Sequence, residues 1–444
     1  MLSVEENELI SRVGLGTPMG NLMREYWVPA MLSSEVVADG DPVRILLLGQ
    51  RLIAFRDNTG AVGLLADACP HRGASLFFGR NEECGLRCVY HGWKFDVTGA
   101  CVDMPNEPAE SNFKHKVRAT AYPCQERGGV VWTYMGGRGA PPPLPAIEAN
   151  CAPDSSVRAF KQDCNWLQVL EGDIDTVHAS FLHAGGVRPE DEPPGSFAEY
   201  RVRNRSARLQ ATDVDAGCAY GAEREGPPGM NYWRIGHFLM PFYSLAATGV
   251  LGVTKSTICR VPMDDYNTLS FFMNASLDQR ERAVANRKDK NGGVFGNATP
   301  FATLPNRTDW LGRFRIPPTG ENDFFIDRQA QRANRGVNGY SGIPGVTVQD
   351  AAMTWSMGPI YDRSKEHLGT SDTMVIEVRR RLIRAARALA ELGEAPPGVD
   401  APEAYAVRSG GIFLPKGADW FMATVELRKA FVDQADVDMA INGY

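Results

Sequence analysis

Cys69 and His71 form a Cys-x-His pair, and Cys88 and His91, beginning after sixteen intervening residues, form a Cys-x-x-His pair. Two thiolates and two imidazoles on neighbouring loops are the donors of a [2Fe-2S] cluster of the Rieske type, in which sulfur holds one iron and nitrogen the other. Imidazole ligation lifts the potential to roughly −150 to +300 mV, a range suited to relaying single electrons. The same donors would also satisfy a tetrahedral zinc ion, and spacing alone does not separate the two readings. The neighbouring residues do. In Cys69-Pro70-His71-Arg72-Gly73 and Cys88-Val89-Tyr90-His91-Gly92-Trp93, glycine or proline stands beside each pair. Glycine lets backbone amides approach a sulfur-rich cluster and donate to it, which favours the cluster.

A second constellation is Asp175-x-x-His178-x4-His183. The chain has seven histidines, and four of them fall in these two groups, a concentration that suggests ligands. Five residues rotate an ideal helix by about 140°, so His178 and His183 cannot share one helical face. The helix has to break between them, and Ala184-Gly185-Gly186 is consistent with its ending there. Two histidines beside an electron relay call for a carboxylate, because the two-histidine, one-carboxylate face binds Fe(II) and leaves positions open for O2 and substrate. Spacing does not select that carboxylate: Asp323, Asp327, Asp350 and Asp362 are all candidates.

The elements that must position these groups follow from composition and punctuation. With 444 residues, 43% apolar and 23% charged, the chain has room for two or three globular domains. A net charge of −6 argues against a nucleic-acid surface. Nine cysteines, two of them claimed by the cluster, imply no disulfide framework, and a cytoplasmic setting is expected. The first residues lack a basic region and an apolar core, so no signal peptide is expected. The longest uncharged stretch, residues 235–254, contains His237, Pro241, Ser244, Gly249 and Gly252 and reads as strands rather than a membrane span.

Ser3 with Glu6 forms a capping box, and Thr17-Pro18 opens a second helix, so residues 1–26 are expected to be helical. Strand runs at 43–48, 52–56, 62–65 and 129–135 make an all-β module of residues 27–145, ended by Gly136-Gly137-Arg138-Gly139 and Pro141-Pro142-Pro143. Residues 146–444 form the second unit, with a helix at 165–180 and strand-like runs at 197–213, 232–247 and 256–277. A Gly-, Asn- and Pro-rich excursion covers 291–345, and Asp372 is expected to cap a helix over 373–392 that turns Arg379-Arg380-Arg381 to solvent. The fold class is α+β: a β electron-transfer module followed by a catalytic domain.

The order of these motifs resembles the oxygenase α subunits of Rieske non-haem iron aromatic-ring-hydroxylating oxygenases across essentially the whole chain. The phthalate 4,5-dioxygenase-like branch is the most similar, on residues 21–27, 85–93 and 170–175, Gln349-Asp350, Met357-Gly358-Pro359-Ile360 and Glu366-His367-Leu368-Gly369. The resemblance implies a Rieske [2Fe-2S] domain followed by a helix-grip-like antiparallel sheet with helices. It implies Asp350 as the third ligand of a mononuclear Fe(II), and Asp175 as a bridge from His91 of the partner subunit to His178. The assembly it implies is a head-to-tail homotrimer or stacked trimers, with electrons drawn from NAD(P)H through a reductase or ferredoxin. Arg72, Arg80, Arg87 and Lys94 offer a basic surface for such a donor. Arg234 occupies the strand that supplies a carboxylate-binding arginine in phthalate-type enzymes, and His237 is expected to line the same pocket.

The implied activity is O2-dependent hydroxylation of an aromatic carboxylate to a cis-diol. The alternatives are O-demethylation of a methoxylated aromatic acid, and an electron carrier or zinc protein without oxygen chemistry. Pro227-Pro228-Gly229 and Ala246-Ala247-Thr248-Gly249 depart from the phthalate enzymes on either side of the Arg234 strand.

Overall fold

The capping chemistry at the start of the chain works as the residues dictate. Ser3 and Glu6 close a capping box on α1 (Val4–Ser11), and Thr17 caps α2 (Pro18–Arg24), whose proline sits where no helical amide is needed. The computed structural model describes residues 1–432 apart from 109, 112, 278–280 and 283–300. Three small antiparallel sheets follow the helices. One joins β1 (Trp27–Leu32) to β10 (Val130–Tyr134) and β9 (Cys124–Arg127), and another is the meander β2 (Val43–Leu47), β3 (Gln50–Arg56) and β4 (Val62–Ala66). The third runs β5 (Arg80–Asn81), β6 (Leu86–Arg87), β7 (Lys94–Phe95) and β8 (Cys101–Asp103). Ile53, Phe55, Leu65, Leu76, Leu86, Trp93 and Phe95 pack into one apolar cluster that also buries Cys69 and Cys88.

The second unit is built on an eight-stranded antiparallel sheet in the order β11-β17-β16-β15-β14-β13-β12, with β18 beside β14. Its strands are β11 (Ser156–Gln162), β12 (Arg208–Val214), β13 (Gly217–Glu225), β14 (Met230–Leu239), β15 (Tyr243–Leu245), β16 (Ser256–Pro262), β17 (Thr268–Asn274) and β18 (Gly410–Pro415). β14 changes partner along one edge: residues 230–235 pair with β18 and residues 237–239 with β15. The change of partner falls at Gly236, and Val250, in the chain leaving β15, forms a bridge to Gly411 of β18.

Residues 197–213, expected to be a strand, are instead a helix followed by β12. Ser196 accepts from Glu199 N–H and starts the helix Phe197–Arg203, so the Ser-x-x-Glu cap signal outweighs the local β-formers. Of the excursion 291–345, residues 291–300 lie outside the described residues, and the remainder is tied down. Arg313 is buried and pairs with Glu35 at 2.6 Å, and Arg44 donates to Thr308 O at 2.8 Å, strapping the second unit to the first. Among the described residues no helix is long and apolar enough to cross a membrane.

The helix Thr373–Leu392 has the expected bounds, but its arginines do not behave alike. The Asp372 carboxylate accepts from Gly369 N–H at 2.7 Å and makes no side-chain cap. Arg379, expected at the surface, is only 3% exposed and pairs with Glu171 and Glu366, while Arg363 also holds Glu171 at 2.9 Å. The apolar stripe is therefore interrupted by a cation whose partners lie on other elements, which helical periodicity does not register. Removing one member of such a buried network leaves uncompensated charge, so Arg379→Ala is expected to cost about 3–5 kcal/mol in urea denaturation. Burial raises the Glu171 pKa, yet Arg363 and Arg379 hold it below its ordinary value of 4.5. Its stabilisation is therefore complete above pH 4.5 and is lost as the pH falls through the lower folded value.

Candidate metal centres and substrate cavity

The two cysteine–histidine loops are built alike. Cys69 N–H donates to Ala74 O and Cys88 N–H to Trp93 O, both at 2.8 Å; Gly73 N–H returns to Cys69 O at 2.8 Å and Gly92 N–H to Cys88 O at 2.9 Å. Gly73 and Gly92 close these turns at φ +75° and +82°, a region that side chains with a Cβ avoid. The cysteines are buried and the histidines half-buried, with the His71 and His91 ring centroids 4.4 Å apart. Trp93 stacks on His71 at 4.2 Å and donates its indole N–H to Asn106 at 2.7 Å. Burial pushes the Cys69 thiol up to about 11, although the His71 and Arg72 amides point at its sulfur, so a cation is needed to hold the thiolate at neutral pH.

A zinc ion with bonds of about 2.0–2.3 Å keeps its donors within about 4 Å of one another. Among the described residues only His178, His183 and Asp350 bring three such donors within 4.8 Å, so the Cys/His set does not close on a single point. Donors arranged in pairs fit two irons and not one zinc. The basic surface expected nearby is largely cancelled. Lys94 is buried against Glu83, and Arg87 is taken up by Glu82 and Asp103. Arg80 pairs with Glu82, which leaves Arg72 exposed over the Tyr90 ring at 5.6 Å.

The second centre forms because α3 (Trp166–Ile174) stops where the two histidines require it to. Asn165 caps its start and Asp175 ends it; His178 lies in the short 3-10 turn His178–Ser180. Asp350 comes from within the helix Val346–Ser356, so it is not the N-cap residue of that helix. His178 Nε2 and His183 Nε2 are 3.1 Å apart, and Asp350 Oδ1 lies 3.4 Å from the first and 3.1 Å from the second. Neighbouring donors bonded at about 2.1 Å to one octahedral ion are separated by about 3 Å, so the triangle fits one face of a metal. Of the competing carboxylates, Asp327 caps the helix Arg328–Ala333, Asp362 pairs with Lys365, and Asp323 is exposed.

The outer nitrogens are also engaged. His183 Nδ1 lies 2.7 Å from Gln349 Oε1, while Gln349 Nε2 donates to Ile343 O at 2.9 Å. This arrangement puts the proton on Nδ1 and turns the Nε2 lone pair towards Asp350. The only sequence signal for Gln349 is its position beside Asp350. His178 Nδ1 is 3.5 Å from Asp175 Oδ2, and Asp175 Oδ1 accepts Val177 N–H at 2.8 Å. Burial opposes charge on His178, but Asp175 and Asp350 raise its pKa to about 10. Burial also raises the Asp350 carboxyl, and the two histidines bring it well below the usual carboxylate range. The cluster demands positive charge at its centre, where a divalent cation would sit.

A cavity of about 350 Å³ opens from these three donors and continues along the sheet to Arg234 and Tyr220. Phe160, Ile258 and Phe272 give it apolar walls, and Ala246, Ala247 and Thr248, from the divergent segment, also line it. Arg260 and Asp173 also line the cavity, but they are paired with each other, Arg260 Nε donating to Asp173 at 2.7 Å. Arg234 is different: it is 5% exposed, and its Nε and Nη1 have no hydrogen-bond partner. His237 does not line the cavity, a correction that strand parity explains. It lies three residues after Arg234 on β14, hence on the opposite face with Trp233 and Ile235, where burial and then Arg428 push its pKa down to about 3.

Residues 26–123 match the model of the Rieske [2Fe-2S] domain, and residues 133–441 match that described as LigXa C-terminal domain like. The chain is 43% identical to the 3-chlorobenzoate-3,4-dioxygenase oxygenase subunit of Comamonas testosteroni, over 95% of this chain and 97% of that protein. It is 38% identical to the phthalate 4,5-dioxygenase oxygenase subunit of Pseudomonas putida, over 90% and 89% of the two chains. Among solved structures, dicamba monooxygenase bound to dicamba superposes with a TM-score of 0.55 at 16% identity, covering 83% of this chain and 99% of that one, a likeness of fold.

Proposed function

The chain belongs to the oxygenase subunits of the Rieske non-haem iron oxygenases, which carry a [2Fe-2S] cluster and a mononuclear iron, and from this premise we propose that it hydroxylates an aromatic carboxylate. In this reading Cys69, His71, Cys88 and His91 hold the cluster, and His178, His183 and Asp350 hold the mononuclear iron. When bound, the two centres supply single electrons and open coordination positions for O2.

The observation that carries the substrate reading is the unpartnered Arg234 guanidinium, buried in the cavity that the three metal donors close. A planar carboxylate matches its fork and supplies the missing charge. Held there, the ring lies between Phe160, Ile258 and Phe272, which exclude water, with its far edge towards His178 and Asp350. The carboxylates named in two relatives, 3-chlorobenzoate and phthalate, agree with such a fork.

Asp175 serves as the relay from His91 of the partner subunit to His178 in a head-to-tail homotrimer, single or stacked, that a reductase or ferredoxin supplies with electrons. Its carboxylate beside His178 Nδ1, and the exposed Val89 and Tyr90 next to His91, support that role. Asp175→Asn is expected to keep both metal loadings and slow turnover by about 10- to 100-fold, read as delayed bleaching recovery of the reduced cluster on mixing with O2 and substrate.

Oxygen uptake over benzoates, phthalates and methoxybenzoates, with ¹⁸O2 product analysis, tests the reaction. A cis-diol carrying two labelled oxygens is the expected product; formaldehyde release marks O-demethylation instead. Uptake that ignores the presence of a carboxylate overturns the substrate assignment.

A further inference from the structure

We propose that Arg205, which does not line the cavity, is the positioning residue that fixes the separation of His178 and His183. The inference rests on reading those histidines and Asp350 as donors to the mononuclear metal.

The segment from His178 to Val187 is neither helix nor strand for most of its length, so its carbonyls need donors from elsewhere. Turn hydrogen bonds supply some: His178 O accepts from Phe181 N–H at 2.9 Å and from Leu182 N–H at 2.8 Å. Arg205 reaches four carbonyls from one side chain. Its Nη1 donates to Ser180 O and, at 3.1 Å, to Ala184 O; its Nη2 donates to Gly185 O at 3.3 Å and Val187 O at 3.0 Å. Ser180 belongs to the turn that carries His178, and Ala184 directly follows His183. One planar guanidinium thus grips the backbone on both sides of the loop joining the two donors, while Arg224 holds the Ser180 hydroxyl at 3.5 Å.

The 3.1 Å separation of the two Nε2 atoms belongs to a loop that no helical or strand ladder spans: Asp175 and Gln349 orient the outer nitrogens of the two rings, and the fork holds the backbone that carries them. Arg205 reaches the loop from the short connection between the helix Phe197–Arg203 and β12. A lysine would place a point charge there with three divergent donors and could not span four carbonyls.

The test uses full-length, cluster-loaded protein stripped of its mononuclear iron and titrated with Co(II), followed by the visible bands of the bound ion. Arg205→Gln is expected to weaken Co(II) binding by about 10- to 100-fold, with the EPR signal of the reduced cluster unchanged and the protein still fully folded at the temperature of the titration. Arg205→Lys is expected to recover less than half of that loss, and millimolar guanidinium to restore part of it in Arg205→Gln. Unchanged affinity in both variants, full recovery with lysine, or a loss that tracks melting of the whole fold overturns the assignment. A wild-type site whose Co(II) binding survives His178→Ala instead overturns the metal-centre reading itself.

Discussion

Asp350→Asn and His178→Ala are each expected to abolish substrate-dependent oxygen uptake, while the EPR signal of the reduced Rieske cluster stays at full amplitude. The expected loss exceeds the roughly 10- to 100-fold typical when an outer hydrogen bond to a metal ligand is removed, because here a donor itself is lost. Asp350 is the only anion of the three donors that converge, so asparagine keeps the shape but removes the charge that balances a divalent ion. His178→Ala opens one edge of the triangle and also releases Asp175, which faces its Nδ1. Metal analysis should find the cluster iron retained and the mononuclear iron lost. Asp327→Asn, at a helix cap remote in role, is the control and should retain uptake. Normal uptake in Asp350→Asn would remove the basis for placing the iron here.

How far the sequence carries this site depends on whether each contact is local. The cluster loops were legible because each is a self-contained turn, with ligand, glycine and closing hydrogen bond within six residues. The break after Asp175 was legible because helical rotation forbids the alternative. Asp350 was not selected by spacing, because it approaches the histidines only when the helix Val346–Ser356 packs on α3. Gln349, Arg205 and Arg379 have the same character: each acts on a distant segment, and no periodicity encodes that partner. His237 is a different failure. Its distance from Arg234 along a strand was available in the sequence and already put the two on opposite faces. The helix at Phe197–Arg203 was equally available, since Ser196 and Glu199 stand at capping-box spacing.

Arg234→Met is expected to move two measurements in opposite directions. In the resting protein the guanidinium is buried without a carboxylate and sits diagonally across the β13–β14 pair from Arg224, because Ala222 faces Arg234 and Arg224 faces Tyr232. Burial, and then the charge of Arg234, push the Arg224 pKa down to about 10, so the two cations disfavour each other in a dry environment. Removing one relieves that repulsion, and the ligand-free variant is expected to melt at or above the wild-type temperature. Binding should change in the other sense. A carboxylate left without its buried partner costs about 2–5 kcal/mol, which is roughly 30- to several-thousand-fold in kcat/KM for aromatic acids, carried mainly by KM. Neutral isosteres such as the corresponding benzamide should lose far less, since they never supplied the charge. Equal losses for acids and amides would show that Arg234 shapes the cavity rather than reading the acid. A variant that melts early would show that its charge is balanced by the fold and not by the substrate.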